Sequence, residues 1–402
     1  MRQLVMRIVY FICCLILFSC NKLEKKENHI INVADGMKSL QSLSVTDFSE
    51  NISYVLLETT DSSLIGNRPY IRKIRNRLLV ASVGCPLMMF DSETGKFIRT
   101  VGKIGQAEGE YLLADDIPVF WGNEKEGIVF IKTAGNKILT YDMEGNYIDS
   151  WNIPPAIDLN DCSQIVSGDR LFVYKRYLFS DKRFDIWRLN LQNRQIETSM
   201  SEPTIPIKAE IQGMPVFFQG FGNIPASPAC YIYPLKDNGY AFYYKEDPCM
   251  WNFKEEAFLK ERFNDTIYQI KNNQLLPRYI FDLGDKQWSY DKRYSADGVA
   301  DKICIDYVLE GNKVLFFMFK TNYFNIPECK TYWAVYDKVS HILKVSDTPE
   351  IKDSVNNCLI DGLHSATSDG TIVGLISVEN YLESTKRQDV KEDDNPIAVL
   401  IK

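Results

Sequence analysis

The sequence predicts an all-β chain: a six-bladed β-propeller of four-stranded antiparallel blades, closed by pairing of the N- and C-terminal strands. Three observations predict it. Short strand–turn–strand segments recur along the chain, each is followed by a second hairpin, and one strand is left unpartnered at each end.

The first hairpins come in order. They are residues 70–83, 117–132, 163–174, 231–244, 306–319 and 362–376, with turns built from Gly, Asn and Asp. These residues tolerate the positive φ and side-chain-to-backbone bonds that tight turns require. The second hairpins are residues 87–101, 138–151, 185–198, 266–283 and 332–345. The stretch 87–116 shows the pattern most plainly: a strand, the turn Asp91 to Gly95, a second strand, then a Gly-rich crossing loop. The last hairpin is cut. The chain ends in Ile397-Ala398-Val399-Leu400-Ile401, and the missing partner is available in residues 52–57. Pairing the two leaves no open edge at the junction. Helix is expected only at residues 251–263, from Phe253, Ala257 and Phe258 set among helix formers.

Composition bounds the function. The net charge of -7 argues against a nucleic-acid partner, which would want a basic face. The N-terminus reads as a targeting segment. Arg2 and Arg7 precede an apolar run over residues 8–18, which is short for a membrane span and right for a signal peptide. It ends in Leu17-Phe18-Ser19-Cys20, which resembles the bacterial lipobox, with Phe18 larger than the usual residue. This implies cleavage before Cys20 and lipidation of its thiol, hence membrane attachment through several acyl chains. The expected organisation is therefore a signal peptide at 1–19, a lipidated Cys and flexible tether at 20–47, and the propeller at 48–402. Seven further cysteines (85, 162, 230, 249, 304, 329 and 358) are spread without short spacings, as buried thiols are. One disulfide, Cys230 with Cys249, is conceivable.

Chemistry is sparse. Of three histidines, His29 lies in the tether, His341 at a hairpin turn and His364 in an inner strand. They cannot supply a His-rich metal centre. No G-x-S-x-G appears, and Gly102-Lys103-Ile104-Gly105 lacks the spacing of a phosphate loop. Asp115-Asp116 and Asp393-Asp394 are the adjacent acid pairs, and solvated loop acids explain them. No cofactor is expected; Ca²⁺ is conceivable, but no residue fixes its ligands.

Loop lengths point to a site. In a blade of this topology the turns inside hairpins lie on one face of the disc and the links on the other. The long segments 200–229, 246–265, 284–304, 321–331 and 377–396 are all links. Their aromatic content nominates Phe217, Phe218, Phe221, Trp251, Trp288, Tyr290 and Tyr323, with Arg293, as a binding face. The charged segment 377–396 reads as a flap or solvated loop.

Several motifs resemble the six-bladed, NHL-like propeller lipoproteins of Bacteroidetes. They are Leu57-Glu58-Thr59-Thr60-Asp61 with Leu64-Ile65-Gly66, residues 101–111, Phe263-Asn264-Asp265-Thr266-Ile267-Tyr268, Leu276-Pro277-Arg278-Tyr279 and Asn395-Pro396-Ile397. Ala107-Glu108 stands where that family usually has Gly-Pro. The resemblance implies secretion and an outer-membrane lipoprotein, periplasmic or surface-exposed. It assigns no activity. The expected function is a non-catalytic binder of a glycan, peptide or protein through the long-loop face. The alternatives are a propeller lyase or hydrolase with a polar site at the channel mouth, using carboxylates and Arg with His364 as a further candidate, or a scaffold subunit of an outer-membrane assembly.

Overall fold

The computed structural model describes residues 29–402 except 114–115, 160–161, 179, 205–209, 219–229, 237–238, 245–248, 294, 296–297, 324, 361 and 386–389. The signal segment and Cys20 lie outside the described residues.

The chain is an all-β propeller with seven blades, so the expected count of six is wrong. Blades 1 to 3 are four-stranded and keep the predicted grammar. They are Tyr70–Ile74, Arg77–Ala81, Leu87–Asp91 and Phe97–Val101; then Val119–Asn123, Ile128–Thr133, Lys137–Asp142 and Tyr147–Asn152; then Cys162–Ser167, Arg170–Arg176, Lys182–Asn190 and Ile196–Pro203. Blade 6 follows the same plan, with Cys304–Glu310, Val314–Thr321, Lys330–Asp337 and Leu343–Ser346.

The difference arises between them. Residues 251–263, expected as helix, instead carry most of a hairpin of Met250–Phe253 and Glu256–Leu259. It joins Thr266–Lys271 and Gln274–Asp282 to make blade 5. The hairpin of Cys230–Pro234 and Tyr240–Tyr244, expected in that place, instead pairs with Val216–Phe218 as the three-stranded blade 4. Blade 4 stands beside blade 3, where Leu235 and Ala241 pack with Leu178 and Tyr233. The turn that makes the 250–259 hairpin is Lys254-Glu255, at φ 50° and 60°. Neither residue advertises a left-handed conformation, so the helix-like spacing masked the turn.

Blade 7 closes the disc. Leu363–Ala366, Ile372–Ile376 and Ile397–Ile401 take Ile52–Leu56 as the outer strand, with Ile52 opposite Ile401 and Leu56 opposite Ile397. Part of the expected tether is also ordered. His29–Asn32 runs parallel to Tyr279–Asp282 and covers the outer edge of blade 5, with Ile31 buried. Leu43–Ser44 joins Ile351–Asp353 and Cys358–Ile360 in a small sheet. The segment expected as a flap opens with a helix, Val378–Thr385, that buries Val378 and Tyr381.

Blades pack face to face through alternating apolar side chains. The Phe281 ring of blade 5 lies 4.9 Å from that of Phe317 of blade 6, and within blade 6 the Phe316 ring sits 5.4 Å from that of Trp333. Each such buried ring contributes about 2 kcal/mol. On the hairpin-turn face the inner turns are tied together. Asn123 Nδ2 donates to Gly168 O, Ser167 Oγ to Glu255 O, and Asn252 Nδ2 to Val166 O. Lys254 N–H donates to Ser368 O, and Ser368 donates through N–H and Oγ to the Glu124 carboxylate. These bonds tie the inner turns to one another across the centre of that face.

Candidate functional site

On the linking-loop face, strands of blades 3, 5 and 6 bring a charged cluster together. Glu256–Leu259 of blade 5 ends on an apolar run, and the next residues, Lys260, Glu261 and Arg262, are all buried. Each is answered. Lys260 Nζ donates to Glu261 O and Ile305 O, both at 2.8 Å. Glu261 accepts from Arg183 at 2.6 Å and from the Tyr174 hydroxyl at 2.9 Å, both on blade 3. Arg262 pairs with Asp306 at the start of blade 6, whose other carboxylate oxygen takes Lys320 Nζ at 2.7 Å.

The loop after blade 5 lies over this cluster. Arg183 and Arg293 each stand over the Tyr290 ring, 3.9 and 4.0 Å from its centroid. Arg293 Nη1 also donates to Tyr290 O at 2.8 Å. Phe263 holds φ 59° and is packed edge-on by Trp288 at 4.9 Å and Tyr323 at 5.8 Å. An aromatic residue at positive φ is held there by its surroundings.

The electrostatics follow from burial and pairing. Burial pushes the Asp306 carboxyl up, but Lys320 and Arg262 outweigh it and hold it below the usual range. Burial and the adjacent Asp306 charge push the Cys304 thiol up to about 12, so it is no nucleophile. Burial, then the Glu261 charge, raises Tyr290 to about 12.

Of the residues nominated from sequence, the structure brings Trp288, Tyr290, Arg293 and Tyr323 together. Trp288 is 2% exposed and Arg293 7% exposed, so both are internal supports; Tyr290 and Tyr323 are half-buried. Trp251 is not in a loop. It lies in the inner strand of blade 5, stacks on Phe258 at 5.7 Å, and donates to Glu310 at 2.9 Å. Phe217 and Phe218 fall in the first strand of blade 4; their side chains, and Phe221, lie outside the described residues. The Cys230 side chain, and with it the conceivable pair with Cys249, likewise lies outside the described residues. Sequence reasoning missed Arg183, Glu261, Asp306 and Lys320. The one available signal was the run Lys260-Glu261-Arg262 closing an apolar strand.

The channel holds a second polar group. His364 Nδ1 accepts the Ile71 N–H at 3.4 Å, its carbonyl accepts the Tyr307 hydroxyl at 2.6 Å, and its ring lies 6.2 Å from that of Tyr70. Burial drops its pKa to about 3. A neutral imidazole clamping blades 7 and 1 is a strut, far from the poise a general base needs near pH 7. Arg72 stands in the same channel and donates to the Tyr70 hydroxyl at 3.1 Å.

Between blades 5 and 6, a cleft of about 270 Å³ is lined by Lys254, Arg278, Glu310 and Lys338. It is small for a ligand pocket, and Lys338 is already paired with Glu310 at 3.2 Å. Among the described residues, no three His, Cys, Asp or Glu side chains gather as metal ligands, and no helix is long and apolar enough to cross a membrane.

A family model described as a domain of unknown function, DUF4934, matches residues 28–402. The chain belongs to the DUF4934 family. The family's domain begins one residue before the first described strand and runs to the last residue. No curated protein matches the sequence. Among solved structures, a Bacteroides fragilis protein described as exported is similar at TM-score 0.60 and 16% identity, covering 93% of this chain and 98% of that one. U3-55K matches at TM-score 0.41 and 9% identity, covering 88% and 98%. The WD40 repeats of RRP9 match at 0.39 and 10%, covering 90% and 99%. The first of these shares the fold. DUF4934 membership replaces the narrower expectation of an NHL-like, six-bladed family.

Proposed function

We propose that this DUF4934 protein is a cell-envelope lipoprotein, anchored to the outer membrane through Cys20, that binds a glycan, peptide or protein partner without catalysis. The linking-loop face is the binding face. One observation carries the reading: Tyr290 is held between Arg183 and Arg293 over a buried, fully paired floor. The two guanidinium groups hold the half-buried Tyr290 ring rigid, so it offers an aromatic contact at little entropic cost. The N-terminal pattern supports export, and the B. fragilis protein of the same fold is described as exported.

Soluble protein spanning 28–402 tested on glycan and peptide arrays should give specific binders. Tyr290→Ala should weaken them by about ten-fold, as expected for an interface anchor. Binding that is indifferent to this change would move the site elsewhere. Metabolic labelling with palmitate should mark the full chain and not Cys20→Ser; a labelled Cys20→Ser variant would end the lipoprotein reading.

A scaffold role has one observation in its favour. Ile211, Met214 and Val216, at the start of blade 4, are exposed apolar side chains. Co-purification of a stable envelope complex, lost on Met214→Asp, would select it.

A further inference from the structure

We propose that the central channel is a second binding site, in which Arg72 and Tyr70 take the carboxylate of a small monoanionic ligand. It does not rest on the linking-loop face.

Arg72 is the third residue of the inner strand of blade 1. It lies deep in the disc on an innermost strand, yet it is only half-buried and so is not sealed from solvent. It acts electrostatically on Tyr307 of blade 6 and Glu124 of blade 2, groups on opposite sides of blade 1.

Its hydrogen bonding is incomplete. Nη2 donates to the Tyr70 hydroxyl, Nε has no partner, and no carboxylate pairs with it among the described residues. The guanidinium stays charged in proteins, so the deficit cannot be relieved by losing a proton. Other buried cations here are answered: Arg262 and Lys320 by Asp306, Lys338 by Glu310. A buried charge without a counter-charge is destabilising, and a protein that pairs its other cations leaves one open where something else completes it.

The surroundings choose the ligand. The guanidinium fork matches a planar carboxylate in bidentate fashion. Tyr70 accepts from Arg72, so its own proton is available to a ligand oxygen. Tyr307 has spent its proton on His364 O. The Glu124 carboxylate at the channel floor already acts on Arg72 and opposes added negative charge, so a singly charged ligand is favoured over a dianion. Lys254, Ser368 and Glu124 are bonded to one another across the centre of the hairpin-turn face, and entry is from the linking-loop face.

The test uses the full-length chain in detergent with sodium acetate and sodium glucuronate, against sodium chloride and sodium phosphate at equal ionic strength. Thermal midpoints should rise and saturate with the two carboxylates alone, and the [¹³C]acetate resonance should broaden. Arg72→Met should abolish both effects, a loss of about ten-fold or more in affinity, while its ligand-free midpoint is unchanged or higher. Equal responses to acetate and chloride would overturn the proposal. So would an acetate response surviving in Arg72→Met. If Arg72→Met does not fold, Tyr70→Phe decides: a carboxylate response weakened about three-fold or more supports the site, and an unchanged one overturns it.

Discussion

Arg262 is a buried guanidinium and Arg72 a half-buried one, and they differ in what answers them. Arg262 is matched by Asp306, which also holds Lys320 across the junction of blades 5 and 6. Arg72 donates to the Tyr70 hydroxyl and meets the Glu124 carboxylate only at a distance, with no ion pair among the described residues. A completed ion cluster is self-contained and ties two blades together. An incomplete one raises the free energy of the folded state until a ligand arrives. The same residue type thus marks a structural joint in one place and a receptive site in the other.

The sharpest way to break this contrast is to make Arg262 resemble Arg72. Asp306→Ala strips the carboxylate from two buried cations and should cost about 3–5 kcal/mol in urea unfolding. A cost near zero would show that the cluster is not a joint.

Next in size is the pH response of the channel wall. His364 has its pKa depressed from an ordinary 6.5 to about 3. Its contribution is therefore complete above pH 6.5 and is lost as pH falls toward 3, because the unfolded chain takes up the proton first. The slope should approach 1.4 kcal/mol per pH unit in that window. Asp306 is also depressed, from 3.8, so its contribution is lost only as pH falls below about 4. His364→Asn should flatten the upper window and leave the lower one; an unchanged slope between pH 6 and 4 would remove His364 as its source. The smallest stability effect belongs to Arg72. Arg72→Met should change unfolding free energy by less than about 1 kcal/mol, or raise it, and a large loss would make Arg72 a joint like Arg262.

The hairpins were legible because their signals are local. Residues 87–101 show two strand-type runs around a turn closed by Gly95 at φ 71°, which only a permissive residue adopts cheaply. The blade count was not legible. Residues 231–244 and 250–259 are both hairpins, and local pattern does not say which one continues into Thr266–Lys271. The strand His29–Asn32 was hidden for a related reason. Ile31 is 1% exposed and Ile30 60% exposed, but an alternation of one period inside a polar stretch resembles a tether.

For the candidate site, loop length pointed to Tyr290 and Arg293. Their partner Arg183 lies some hundred residues away on another blade. Arg72 looked like any charged residue in a strand. Local pattern was enough for the all-β class, the two-hairpin unit and the closure of the ring by its own ends, because turn chemistry and strand alternation act over a few residues. The number of blades, seven, and the matching of charges emerge on folding. Both depend on contacts between blades distant in the chain, where partial burial turns an unremarkable Arg72 into an unpaired charge.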